Sequence, residues 1–152
     1  MVHMKRALAV ALTAGAMTVS GLGATATAQT PSAGRSAAAA ITCVGSSFSG
    51  TLGVNQAICN SGYQVMMQDN GDLVLRTHSG SPCWASGSRA PGDASATFVG
   101  TVFGAPYIDI NSTSQGRVGR VLGAHTATTF GTNASVNNKG EFWVGYKKVG
   151  WC

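Results

Sequence analysis

Polar and apolar residues alternate along the stretch from Tyr63 to Ser86. One parity is apolar and consists of Val65, Met67, Leu73 and Leu75. The other parity consists of Gln68, Asn70, Asp72, Val74 and Arg76. Because successive side chains of a strand point to opposite faces, this pattern predicts a hairpin whose second face is lined by the polar set. Asn70-Gly71 predicts a two-residue type I′ turn, in which both central residues have positive φ.

The remainder of residues 41–152 follows a similar short-range pattern. Short apolar runs are separated by Gly, Asn, Ser and Pro, and no window has a convincing helical period. We therefore predict one all-β domain with many turns, including a second hairpin turn at Lys139-Gly140.

The first 40 residues have a different composition. Two cations precede an apolar run from Ala7 to Val19, and Ala26-Thr27-Ala28 is a cleavage site of the small-residue type. We predict a secretory signal peptide over residues 1–28, of an Ala-rich kind that suggests a bacterial host. Residues 29–40 have no large apolar side chain, which predicts either a flexible linker or a short propeptide.

Most of the positive charge lies outside the predicted domain. The chain has a formal net charge of +5, but residues 41–152 hold seven Lys and Arg against five Asp and Glu, a net charge of +2. This small excess predicts no nucleic-acid partner. The apolar run from Ala7 to Val19 is too short for a membrane span, so none is predicted.

All four cysteines lie in the predicted domain, behind the export signal. An even number in a small exported chain predicts two disulfides, for which three pairings exist. We favour Cys59–Cys83, whose members flank the hairpin, and Cys43–Cys152, which would join the ends of the domain. Spacings typical of zinc ligands are absent from the sequence, and neither a metal nor a cofactor is predicted.

The hairpin resembles one repeat of the bulb-type (monocot) mannose-binding lectin family. The family motif is Gln-x-Asp-x-Asn-x-Val-x-Tyr. Gln68 and Val74 match this motif. Asn70 and Asp72 exchange the acid and the amide, and Arg76 replaces the tyrosine.

The residues around the hairpin extend the resemblance. Trp84 to Ser88 matches the Trp-Ala-Ser/Thr signature that follows the family motif, and Leu52 to Ile58 is similar to the segment that precedes it. The resemblance implies a β-prism of three pseudo-symmetric, four-stranded antiparallel sheets. It also implies a carbohydrate-binding function.

Two fainter copies of the repeat follow, over Val102–Asn111 and Asn137–Val144, with Leu122 and Trp151 aligned to Trp84. The aligned sugar-contacting positions are Val102, Gly104, Pro106, Ile108 and Ile110 in the second copy, and Asn137, Lys139, Glu141, Trp143 and Gly145 in the third. Neither set keeps the polar identities of the family. At most one sugar site is therefore expected.

The resemblance implies a secreted lectin-like protein with one partly retained sugar site, formed by Gln68, Asn70, Asp72, Val74 and Arg76. Arg76 can only donate hydrogen bonds, and its charge favours an acidic glycan over neutral mannose. One wet site of this kind predicts an affinity of about 1 mM, which a homo-oligomer would raise. Because Asp72 is expected at an exposed strand position, Asp72→Ala should remove binding without unfolding the domain.

The alternative is a secreted protein-interaction factor, such as an inhibitor or a toxin-like protein, on a scaffold that has lost sugar binding. An enzyme is disfavoured, because His78 and His125 are isolated and no Gly-x-Ser-x-Gly occurs. The three tryptophans, Trp84, Trp143 and Trp151, are expected in the core.

Overall fold

The computed structural model describes residues 40–152, which form thirteen strands. The strands are β1 (Thr42–Cys43), β2 (Ser47–Phe48), β3 (Thr51–Leu52), β4 (Gln56–Asn60), β5 (Tyr63–Met67), β6 (Leu73–Thr77), β7 (Pro82–Ala85), β8 (Ala94–Val99), β9 (Tyr107–Ser112), β10 (Gly116–Leu122), β11 (Ala134–Val136), β12 (Glu141–Val144) and β13 (Lys147–Trp151). No helix that could span a membrane occurs in this part of the chain. The signal peptide and nearly all of the linker predicted over residues 29–40 lie outside the described residues.

The strands form three sheets, as the lectin resemblance implied. The strand orders are β1-β4-β5-β6-β7 in the first sheet, β10-β9-β8-β3 in the second and β13-β12-β11-β2 in the third. The second and third sheets are four-stranded and antiparallel, as expected. The first sheet differs because β1 adds a fifth strand, which pairs with β4 in parallel.

The short segment from Thr42 to Leu52 connects the three sheets. Within it, β1 joins the first sheet, β2 pairs with β11 of the third and β3 pairs with β8 of the second. Each sheet therefore receives one edge strand from the same stretch of chain. This arrangement makes the closure of the prism depend on contacts that are distant in sequence.

Alternate side chains of the three sheets meet in a single apolar core. The main contributors are Ile58, Val65, Met67, Leu73 and Leu75 from the first sheet, Ala96, Phe98, Ile108 and Ile110 from the second, and Val136, Phe142 and Val144 from the third. The apolar parity of the β5–β6 hairpin therefore faces the core, as predicted. Burial of this kind contributes about 1.5 to 3 kcal/mol for each large side chain.

The three tryptophans do not share one environment, contrary to expectation. Trp84 packs against the core, with its ring centroid 5.4 Å from that of Phe142. Trp143 pairs with Ser135 and lies on the opposite face of β12 from the core residue Phe142. Trp151 is 65% exposed. The proposed alignment of Trp151 with Trp84 is therefore wrong, and so is that of Leu122, which is 58% exposed.

The two predicted hairpin turns occur where expected, but Asn70-Gly71 is not the predicted type I′ turn. Gly71 and Gly140 have positive φ, whereas the residue before each of them does not. The first loop has five residues, 68–72, and is closed by a hydrogen bond from the N–H of Gln68 to the carbonyl of Asp72 at 2.9 Å. The second has four residues, 137–140. Asn70 stays out of the left-handed region while its Oδ1 accepts from the N–H of Asp72 at 3.0 Å.

The disulfides are Cys43–Cys59 and Cys83–Cys152, so the favoured pairing was wrong. β4 and β7 are separated by two strands, which puts Cys59 and Cys83 about 14 Å apart across the sheet. The parallel pairing of β1 with β4 instead brings Cys43 beside Cys59. Contact between β7 and β13 brings Cys83 beside Cys152. The prediction of two disulfides and no free thiol among the four cysteines is confirmed.

Candidate functional site

The predicted sugar-contacting residues lie at the tip and on one face of the β5–β6 hairpin. Val74 and Arg76 belong to β6, whereas Gln68 and Asp72 flank the turn and Asn70 lies within it. The expectation that all five share one side of a strand is therefore wrong for Asn70. The other four alternate with core residues along the hairpin, so they occupy its outer face.

Asp72 has a structural role at the end of the hairpin. Its Oδ1 accepts hydrogen bonds from the Ser86 hydroxyl at 2.7 Å and from the N–H of Gly87 at 2.9 Å. The same hydroxyl accepts from the N–H of Leu73 at 3.0 Å, which ties the hairpin to the chain after β7. Asp72 is half-buried, so the assumption of an exposed position without structural contacts is wrong. Its Oδ2 makes no hydrogen bond within residues 40–152.

The rest of the outer face is only partly open to a ligand. Val74 is buried, as is Met66 beside it on β5, so the expected apolar contact is not presented at the surface. With the Gln64 amide oxygen oriented towards Arg76, it accepts from the Arg76 Nε at 2.8 Å. The groups left for a ligand are the amide of Gln68, Oδ2 of Asp72 and the remaining N–H groups of Arg76.

The second repeat was aligned one residue out of register. Ile108 and Ile110, which were aligned with sugar-contacting positions, are fully buried in the core. The outward residues of β9 are instead Tyr107, Asp109 and Asn111. A shift of one residue moves every side chain of a strand to the other face, which explains why this polar surface was missed. The alternation of these three residues with the two isoleucines is the signal that would have revealed it.

Asp109 and Arg120 form a rigid pair on the outer face of the second sheet. Arg120 Nε donates to Oδ1 of Asp109 at 2.6 Å, and Nη2 donates to Oδ2 at 2.8 Å. The guanidinium also lies 3.8 Å above the centre of the Tyr107 ring. The hydrogen bonds from Arg120 lower the pKa of Asp109, with a further contribution from the nearby positive charge of Arg117. Arg120 is thereby held in one orientation.

The outer face of the third sheet is occupied by contacts among its own side chains. Glu141 accepts hydrogen bonds from Asn137 at 2.7 Å, Lys148 at 3.0 Å and the Trp143 indole at 3.3 Å. The hydrogen bond from Asn137, followed by that from Lys148, lowers the pKa of Glu141. Asn137, Glu141 and Trp143 are among the positions that the third repeat aligned with sugar contacts, and their polar groups bond to one another.

Asp93 forms a comparable polar cluster beside the β9–β10 turn. Its carboxylate accepts from the hydroxyls of Ser112 at 2.9 Å and Thr113 at 2.6 Å, and from the N–H of Ser114 at 3.0 Å. These hydrogen bonds, of which that from Thr113 is the largest cause, lower the pKa of Asp93 to about 2. The cluster fixes the turn and leaves no feature that suggests a ligand.

Two surface clefts are lined by residues other than the five predicted site residues. A cleft of about 400 Å³ is formed by the ends of β7, β10 and β13, and its charged lining residues are Arg120, Lys147 and Lys148. A second cleft, of about 460 Å³, is mainly apolar and includes Phe98, Val102 and Phe130. We call the first of these the basic cleft. It is also lined by Ser86, whose hydroxyl donates a hydrogen bond to Asp72.

The two histidines of the described residues do not belong to a metal-binding group. His78 and His125 are both exposed, and the His125 ring stacks on Phe130 with centroids 5.7 Å apart. Within residues 40–152, no group of three His, Cys, Asp or Glu side chains is arranged to hold a metal ion.

Comparison with known proteins found no relative. No protein-family model matches the chain, and neither a curated protein nor a solved structure matches it. The resemblance to mannose-binding lectins therefore depends on the residues of the first repeat.

Proposed function

We propose that the protein is a secreted, lectin-like carbohydrate-binding protein and not an enzyme. One observation carries the proposal: residues that resemble a repeat of a β-prism lectin family occur in a chain that folds as three sheets around one core. The resemblance lies in the residues from Gln68 to Val74 and from Trp84 to Ser88. It implies a fold of three sheets, and the chain has three sheets. Because a fold hosts many functions, the proposal is tested at the site.

The proposed site is the outer end of the β5–β6 hairpin. Gln68 supplies an amide that can both donate and accept, Asp72 supplies an acceptor at Oδ2, and Arg76 supplies donors. Asn70 at the tip and Val74 below it complete the predicted set. Since these groups are at a wet surface, each hydrogen bond contributes about 1 kcal/mol, which supports an affinity of about 1 mM for one site. Several copies in a homo-oligomer would increase the avidity.

Gln68→Ala is the sharpest test of the site. The Gln68 side chain makes no hydrogen bond within residues 40–152, so its removal should leave the fold intact. Binding of mannose and of acidic sugars to the mature protein would be screened on a glycan array and measured by calorimetry. Gln68→Ala should weaken binding about fivefold, the equivalent of one hydrogen bond. Gln115→Ala, at the exposed β9–β10 turn, is the matched control and should bind as the wild type does.

Two results would contradict this assignment. Unchanged glycan binding by Gln68→Ala would show that the hairpin is not the site. Failure of the wild-type protein to bind any glycan would remove the lectin-like function itself.

The proposed location is extracellular. Two disulfides are compatible with an oxidising compartment, and the export signal was inferred from residues 1–28. Mass spectrometry of the secreted protein should find residues 1–28 removed and all four cysteines oxidised. Retention of the first 28 residues in the secreted species would contradict the proposed processing.

The alternative function is that of a secreted protein-interaction factor. It is favoured by one surface feature: Val102 and Phe103 in the β8–β9 loop are 75% and 95% exposed, close to the apolar cleft. Exposed apolar groups of this kind often mark a contact with another protein. If glycan binding is absent, Phe103→Ser should abolish the biological activity of the secreted protein without a change in its thermal stability.

A further inference from the structure

The basic cleft at the ends of β7, β10 and β13 is a shallow, open surface whose charged lining residues are all cations. Arg120 comes from β10, and Lys147 and Lys148 come from β13. No Asp or Glu of residues 40–152 lines the cleft. Three cations among the lining residues, with no carboxylate among them, favour a negatively charged ligand.

The three cations differ in whether a carboxylate neutralises their charge. Arg120 is bound to Asp109 and Lys148 to Glu141, in both cases through ion pairs with carboxylates outside the cleft. Lys147 makes no ion pair within residues 40–152 and is exposed. Three positive charges and two negative ones leave an excess of one positive charge, which lies on Lys147. A ligand with a single anionic group would neutralise that excess.

The two compensated cations are held in place for binding. The two hydrogen bonds from Arg120 to Asp109 and the stacking of Arg120 on Tyr107 restrict its guanidinium, and the 3.0 Å contact with Glu141 restricts Lys148. Side chains that are ordered before binding lose less conformational entropy when a ligand arrives. The cleft is therefore a prepared donor surface and not only a group of mobile lysines.

The volume of the cleft and its exposed Leu122 indicate what kind of ligand could bind there. A volume of about 400 Å³ lies in the range of small-ligand sites and is larger than a simple inorganic anion needs. Leu122 lines the cleft and is 58% exposed, so it offers an apolar surface to C–H groups. We propose that this cleft binds a saccharide with one anionic group, such as a sulfate or a carboxylate, at a site separate from Gln68 and Arg76.

The test uses the full mature protein and galactose 6-sulfate, galactose and inorganic sulfate as probes. Binding would be followed by calorimetry and by NMR shift changes at Lys147 and Leu122, at low ionic strength. Galactose 6-sulfate should bind more tightly than either of the other two. Lys147→Gln should weaken its binding about fivefold, because a wet charge-assisted contact is lost.

The matched control is Lys139→Gln. It removes the same charge from an exposed position in the β11–β12 turn that does not line the cleft, and it should leave binding unchanged. Equal weakening by both variants would overturn the proposal in favour of non-specific attraction. Equal affinity for inorganic sulfate would overturn the saccharide, and absence of binding would overturn the site. Gln68→Ala should not affect this binding, so a failure here is distinguishable from failure of the hairpin site.

Discussion

The hairpin of the first sheet and the hairpin of the third share one backbone plan. In both, the N–H of the first residue after the incoming strand donates to the carbonyl four residues on, from Gln68 to Asp72 and from Asn137 to Glu141. In both, the fourth loop residue is a glycine with positive φ. An acidic residue then closes each loop. The repetition therefore extends from strand order to individual hydrogen bonds.

The two acidic residues differ in their partners. Asp72 binds Ser86 and Gly87, which belong to the chain that leaves the first sheet, whereas Glu141 binds side chains of its own hairpin and of β13. The first hairpin is therefore attached to the chain that leads to the second sheet, and the third is self-contained. The same backbone arrangement therefore does not imply the same function, because the side chains at equivalent positions make different contacts.

The link between the first and third sheets should give the largest effect. Cys83–Cys152 joins β7 to the end of the chain after β13 and closes a loop of 69 residues, while Cys43–Cys59 closes one of 16. In the entropic description, replacing both cysteines by alanine should lower the free energy of unfolding by about 4 kcal/mol for the first and about 3 kcal/mol for the second. Urea unfolding would measure both. A larger loss from the Cys43–Cys59 pair would contradict this ranking.

Gly71 and Gly140, the glycines at equivalent positions of the two loops, should give the next largest effect on stability. A Cβ on Gly71 would collide with the backbone of Ala90, whereas a Cβ on Gly140 would meet the ring of Tyr63. A ring can shift more readily than a backbone. Adding the strain of a positive φ, Gly71→Ala should lower the free energy of unfolding by about 3 kcal/mol and Gly140→Ala by about 2 kcal/mol. Equal losses in urea unfolding would indicate that the Ala90 segment gives way.

The acidic residues that close the loops should have a smaller effect. Asp72→Ala removes two hydrogen bonds that join separate parts of the chain and should cost about 2 kcal/mol of stability. Glu141→Ala should cost less, because its contacts lie within one sheet and that with Lys148 is exposed. Thermal unfolding of both variants would check the order. A stable Asp72→Ala variant would restore the simpler view that Asp72 serves only a ligand.

Low pH should give the smallest of the expected losses in stability. The folded protein lowers the pKa of Asp93 from 3.8 to about 2, so between these values the unfolded chain binds more protons. Stability from this group is therefore present above pH 3.8 and is lost as the pH falls towards 2. Unfolding in urea at a series of pH values should show this loss, and Asp93→Asn should flatten the slope. Asp93 belongs to neither hairpin. Asp69→Asn serves as the control, because Asp69 has no such cluster of hydrogen bonds.

The fold was predictable from local patterns and from the resemblance together. Alternation places Val65 and Leu75 in the core and predicts strands where they occur, because face selection depends only on neighbouring residues. The location of the Asn70-Gly71 turn follows from glycine. Its geometry does not, since Asn70 stays out of the left-handed region and its side-chain oxygen accepts a hydrogen bond from the N–H of Asp72.

The candidate site was predictable only in its position. The outer end of the hairpin is where the motif placed it, but the burial of Val74 and the partners of Asp72 and Arg76 depend on residues distant in the chain. The basic cleft was not predicted at all. Its cations come from β10 and β13, which approach each other only when the sheets assemble.

The sequence by itself determined the all-β class, the apolar face of the first hairpin and the number of disulfides. These follow from residue type, from period-two alternation and from an even count of cysteines. Tertiary structure alone decided which cysteines pair and how the segment from Thr42 to Leu52 is divided among three sheets. The physical reason is that register and long-range pairing are set by packing between sheets, and one shifted residue reverses every face of a strand.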